Sequence, residues 1–256
     1  MHHDHQPFSI VNTNSNSAII YIHGIMGSPT EFRQLVENSD LSHTNYKALL
    51  LPGHGAGGKD FIKSGPVDWQ AHVNKEIDYH FHNNEKIILI GHSLGGLLAL
   101  QAASHFNIAG IVLINTAMRT RMSVQQILLS LKVLFASKNS NNPIVSTYRN
   151  GFGVGLHDWW TVPAWSLKLL DVLKVAKQTE KVLPLIKTHV QIYQSIHDET
   201  VNPNSAEILK RGLVNSSVQL TYLNNSMHAY FDQKDLQLIT EGIEELVNHR
   251  VVKSSN

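Results

Sequence analysis

The chain has 256 residues, of which 42% are hydrophobic, with 21 Lys plus Arg against 20 Asp plus Glu and a formal net charge of +1. That length suits one large α/β domain or two small ones. The charge balance excludes both the basic field of a nucleic-acid binder and an acidic disordered tail. Cysteine is absent, which excludes disulfides, thiol catalysis and thiolate metal sites.

Residues 1–17, MHHDHQPFSIVNTNSNS, lack the basic stretch and apolar core of a signal peptide. They read as a flexible terminus in which His2, His3 and His5 are silent. Ala18–Ile22 (AIIYI) predicts the first strand, followed by the loop HGIMGSP. There Ser28-Pro29-Thr30-Glu31 reads as a capping box with proline at the first helical position. Further strands are predicted at Tyr46–Leu51, Lys86–Ile90, Ile108–Ile114, His189–Gln194 and Val218–Leu223. Several are apolar at consecutive positions, as strands buried on both faces of a parallel sheet must be. Asn202-Pro203 opens a later helix, and Asp232 begins the last, which runs through Leu246. This alternation predicts a doubly wound α/β fold whose core spans residues 18–117 and 186–256. Residues 118–185 contain no convincing strand and read as an inserted helical lid. No apolar run is long enough to span a bilayer, so the expectation is a soluble, cytoplasmic protein with no integral membrane association.

Chemistry concentrates at ILIGHSLGG. Ser93 directly follows a predicted strand and precedes a helix, between Gly91 and Gly95, where strand and helix backbones approach closely. Such a turn presents a hydroxyl at the carboxyl edge of the sheet, where open α/β folds bind ligands. A serine needs a base to take its proton, and the base needs an acid to orient it. Asp198, just past the strand HVQIYQ, is the candidate acid, with Glu199 as a solvent-facing runner-up. His228, in the loop NNSMHAYFD after the strand VQLTYL, is the candidate base. Asp60, Asp68 and Asp78 precede the serine, and Asp158 and Asp171 fall in the lid. The backbone N–H groups of Ile25 and Leu94 are the candidate oxyanion donors. His23 is expected to fix the loop that carries Ile25, and His54 to be structural. Gly24, His92, Ile127, Leu131, Trp159 and Trp160 are candidate pocket residues, the last four from the lid.

HGIMGSP, LPGHG, GHSLGG, HDETVNP and NSMH together resemble the α/β-hydrolase superfamily, and within it the bacterial carboxylesterases and monoacylglycerol lipases. SGPVDWQAHV and DETVNPNSAEIL are similar to segments of the small thermostable carboxylesterases of bacilli. The likeness covers the chain after residue 17 and weakens in the lid. It implies Ser93 as nucleophile, Asp198 as acid, His228 as base, the Ile25 and Leu94 amides as oxyanion hole, and neither metal nor organic cofactor. The expected activity is hydrolysis of a small-molecule carboxylic ester with a short- to medium-chain acyl group, with no nucleic-acid partner. A monoacylglycerol lipase, another triad hydrolase (thioesterase or lactonase) and a hydrolase-fold ligand receptor with little turnover are the alternatives, because one fold hosts many chemistries.

Overall fold

A computed structural model of the chain describes residues 5–12, 15–82, 86–121, 142–155 and 160–248. The strands are β1 (Phe8–Ile10), β2 (Ser17–Ile22), β3 (Asn45–Leu49), β4 (Lys86–His92), β5 (Gly110–Ile114), β6 (Val190–Ser195) and β7 (Val218–Leu223). They form one seven-stranded sheet in the order β1-β3-β2-β4-β5-β6-β7. β1 runs antiparallel to β3, and all other pairs are parallel. The strand order reverses between β2 and β4, and the register sets Ile22 opposite Gly91. The chain therefore leaves these two strands side by side, which opens a crevice at their carboxyl ends.

Side chains alternate across the sheet and feed two cores. On one face Ile20, Ile22, Leu89, Ile111 and Leu113 pack under α3 (Pro66–His82), α4 (Leu94–Ala103), α6 (Val162–Val182) and α7 (Asn204–Gly212). On the other, Ile19, Tyr21, Ile88, Ile90 and Val112 pack under α1 (Arg33–Glu37) and α8 (Gln233–Asn248). Two short helices complete the set, α2 (Gly58–Lys63) and α5 (Pro143–Gly151). Among the described residues no helix is long and apolar enough to cross a membrane.

Three expectations give way. The N-terminal stretch carries a strand, because Phe8–Ile10 extends the sheet with Phe8 opposite Ala48. Three residues of ordinary polarity carry too little periodicity to be recognised as a strand. Part of the stretch 118–185, expected as lid, belongs to the core. Val172, Val175, Ala176 and Leu183 share a core with Leu97 and Leu98, so the second half of α6 belongs to the helical layer on the sheet. The capping box does not form. Ser28 caps no helix through its side chain. Its hydroxyl lies 3.0 Å from His5 Nδ1 and 2.6 Å from Thr30 Oγ1, and the Glu31 carboxylate turns away into the site.

Candidate active site

Ser93 sits between β4 and α4 at φ +53°, ψ −114°. A non-glycine residue there costs about 1–3 kcal/mol and persists only where the surroundings over-determine it. Here they do. The Ser93 N–H donates to the Ile114 carbonyl at 2.9 Å, and its carbonyl accepts from the Ala117 N–H at 3.3 Å. The glycines permit the crossing, since a Cβ on Gly95 would stand 1.8 Å from the Ile22 carbonyl oxygen and one on Gly91 2.5 Å from Gly95 backbone atoms. Gly95→Ala should therefore destabilise the protein by about 3 kcal/mol or more, because backbone rather than a flexible side chain must move. Urea unfolding measures this, and an unchanged midpoint would refute the crossing geometry.

The candidate acid and base meet directly. His228 Nδ1 lies 2.8 Å from Asp198 Oδ2, and Asp198 Oδ1 accepts the N–H groups of Thr200 (2.8 Å) and Val201 (2.7 Å). Asp198 is fully buried. A carboxylate accepts, so Nδ1 carries its proton and Nε2 is the ring nitrogen left to act as base. Burial works to lower the His228 pKa, but the Asp198 carboxylate, by charge and hydrogen bond, and then Glu199 and Glu31 together hold it above 6.5. Among the described residues the Ser93 hydroxyl has no hydrogen-bond partner.

The candidate oxyanion loop follows β2. Its turn closes with the Gly27 N–H donating to the Gly24 carbonyl at 3.1 Å, and Met26 stands at φ +60°. His23 fixes it as expected, lying 2.8 Å through Nδ1 from the Gly24 carbonyl and accepting the Leu51 N–H on Nε2 at 3.0 Å. Neither the Ile25 nor the Leu94 N–H has a hydrogen-bond acceptor among the described residues. Further along the chain, the Gly153 N–H donates to the Met26 carbonyl at 2.7 Å, and the Gly153 carbonyl accepts from the Gly55 N–H at 2.6 Å. The glycine-rich NGFGVG stretch is thus pinned between this loop and LPGHG.

His54 is almost fully buried against His23, Phe61 and Trp69. Burial and then the neighbouring His23 push its pKa down to about 3. The unfolded chain takes up protons below 6.5 while folded His54 does not, so stability is lost as pH falls from 6.5 toward 3. We expect the urea midpoint to drop between pH 6.5 and 5 and the drop to shrink in His54→Phe. An equal drop in both proteins would assign it elsewhere.

Several residues that sequence reasoning assigned otherwise, or passed over, complete the site. Glu199 is fully buried, not solvent-facing. Its Oε2 accepts the His228 N–H at 3.1 Å, and its Oε1 accepts the hydroxyl of Tyr148 on α5, whose oxygen in turn accepts the Ala229 N–H at 3.3 Å. Burial and the Glu199 charge raise the Tyr148 hydroxyl far above its ordinary value, so it remains a donor. Asn115, at φ +46°, donates to the His228 carbonyl at 2.8 Å and accepts the Ser195 N–H at 2.7 Å. His92 is buried and bridges Glu31 and the His228 carbonyl through its two ring nitrogens. With Glu31, Phe32, Leu35 and Phe231 it also lines a small recess beside this bridge. Gly24 packs on it and on Ser93, where an added Cβ would meet both at 3.2 Å.

Of the expected lid residues, Ile127, Leu131 and Trp159 lie outside the described residues. Trp160 is 53% exposed, with Lys59 Nζ 5.3 Å above its ring, so it faces solvent. Among the described residues, Trp165 adjoins the candidate oxyanion loop, buried with Phe61 and Val154 and packed against Ile25 and Met26. A helical spacing of apolar residues could have singled it out, since Trp165 and Val172, seven apart, fall on one helix face.

A switched parallel sheet, a strained serine between β4 and α4, and an Asp–His pair after β6 and β7 define the α/β-hydrolase class. The chain belongs to the alpha/beta hydrolase family, which residues 19–233 match. It is similar to a thermostable monoacylglycerol lipase of Bacillus sp. (strain H-257), 26% identical with 92% of each chain covered. It is also similar to a carboxylesterase of Bacillus subtilis (strain 168), 23% identical with 94% of this chain and 96% of the relative covered. Among solved structures, one described with the metagenome-derived lipolytic enzymes LipS and LipT superposes with a TM-score of 0.75 at 22% identity, covering 96% of this chain and 99% of the other. A monoacylglycerol lipase of Paleococcus ferrophilus gives 0.62 at 16% identity over 95% and 99%. At such identities these structural likenesses speak to the fold alone.

Proposed function

We propose that the protein is a serine esterase that cleaves carboxylic esters of short- to medium-chain acyl groups through an acyl-enzyme intermediate. The observation that carries this reading is the convergence at one sheet edge of Ser93, the Asp198–His228 pair and two backbone amides without acceptors. The relatives named for esterase and lipase activity support ester hydrolysis in general.

In the first half-reaction His228 Nε2 takes the Ser93 proton as Oγ attacks the ester carbonyl. The Ile25 and Leu94 amides donate to the oxyanion, where charge develops, and losing one such donor costs about 3 kcal/mol of barrier. Asp198 keeps the imidazole in the Nδ1–H tautomer and stabilises the imidazolium as it forms. The imidazolium then protonates the departing alcohol. Water, activated by the same nitrogen, attacks the acyl-enzyme and releases the acid. No step requires a metal or organic cofactor.

A fluorophosphonate probe with peptide mapping tests the reading. We expect rapid, stoichiometric capture on Ser93, whereas a ligand receptor with a silent site would label slowly or not at all. A p-nitrophenyl ester series should then give its highest kcat/KM at medium chain length, and a sharp optimum at acetyl would reject the acyl preference.

A further inference from the structure

A line of polar contacts joins the oxyanion loop to the base without passing through the Ser93 hydroxyl. The Glu31 side chain is only 13% exposed. Its Oε2 accepts the Gly24 N–H at 3.1 Å and lies 2.8 Å from His92 Nδ1. The other ring nitrogen of His92 lies 2.9 Å from the His228 carbonyl oxygen. A carbonyl can only accept, and so can an ionised carboxylate. Burial alone would raise the Glu31 carboxyl, but His92, by charge and hydrogen bond, with His23 and the Gly24 amide, holds it below the usual range and keeps it ionised. Both ring nitrogens of His92 thus face acceptor oxygens. The His92 ring also packs on the His228 ring, with centroids 4.8 Å apart.

A buried carboxylate–imidazole contact is weak ground for stability, because desolvation offsets most of the attraction. Placement is what sets this one apart. Glu31 grips the loop that carries the Ile25 amide, His92 grips the backbone of the base, and His92 is itself the residue before Ser93. We propose that Glu31 and His92 are a positioning pair for ester hydrolysis, locking the oxyanion loop and the His228 loop to each other and to the serine turn. The pair acts through the alignment of the groups that react. The proposal rests on the reading of Ser93 as nucleophile.

The test uses the full-length protein and p-nitrophenyl butyrate. Glu31→Gln preserves volume and can still accept from Gly24, but it removes the charge that orients His92. We expect kcat to fall about ten- to a hundredfold, with KM changed by no more than about twofold, as for misplacement of groups that act only in the transition state. Inhibition by a trifluoromethyl ketone, which forms a tetrahedral adduct on the serine, should weaken in proportion to kcat. His92→Gln severs the line from its other end and keeps the test open should Glu31→Gln fail to fold, which near-UV circular dichroism reports. The double variant should be no worse than the poorer single, because one line can be cut only once. Losses that multiply in the double variant would overturn the pairing. Unchanged kcat in both singles, or a raised KM with unchanged kcat, would overturn the positioning role while Ser93→Ala remains inactive. Turnover persisting in Ser93→Ala would instead overturn the reading beneath it.

Discussion

Ser93→Ala is expected to lower kcat for a short p-nitrophenyl ester by on the order of 10⁴- to 10⁶-fold while the protein stays folded. The loss is large because covalent catalysis disappears entirely. A residue of about 10³ over water should remain from the amides and from binding. Folding should survive for a local reason: the hydroxyl has no hydrogen-bond partner among the described residues, so its removal leaves no buried group unsatisfied. Alanine must occupy the same φ of +53°, and it meets the same strain as serine. Activity within tenfold of wild type, with an unchanged unfolding midpoint, would dismiss Ser93 as nucleophile.

Asp198→Asn should cost about 10⁴-fold in kcat. The Thr200 and Val201 amides already occupy Oδ1, so an asparagine would keep its carbonyl there and turn its NH₂ toward His228 Nδ1. Nδ1 would then have to accept, the proton would move to Nε2, and the nitrogen facing catalysis could no longer receive one. The pH profile supplies a second measurement. With the His228 pKa held above 6.5, wild-type kcat/KM should rise with pH through that value as the imidazole becomes neutral. In Asp198→Asn the limb should move to lower pH, because the principal raising influence is gone. An unmoved limb would mean that another group titrates. Linkage adds a contrary trend: a raised folded-state pKa contributes stability that is full below 6.5 and is lost as pH rises through the folded value. The protein should therefore surrender that contribution in the same interval in which it becomes active.

What the sequence made legible was what local pattern and chain order encode. The strand–turn–helix at Ser93 is written in consecutive residues, and Asp198 and His228 follow it at successive strand ends. Glu31 reads as part of a capping box because Ser28 stands three residues before it, while its actual partner, His92, is 61 residues away. No short-range rule reports such a pairing. Glu199 was placed in solvent because acidic residues usually are. Its burial depends on Tyr148, 51 residues earlier on a helix whose approach only the folded chain determines. Trp160 and Trp165 belong to the same run, and which of them turns inward is set by where α6 begins and by Phe61 beneath it.

The Gly153 contact bears on how such hydrolases can be re-engineered. A Cβ at this position would stand 2.1 Å from the Gly27 carbonyl oxygen. The segment that carries Gly153 therefore abuts the candidate oxyanion turn backbone to backbone. Transplanting another insertion to change substrate range would have to reproduce that glycine and its register, or the graft would alter turnover along with selectivity. Libraries that hold Gly153 constant should therefore retain active members far more often than libraries that vary it.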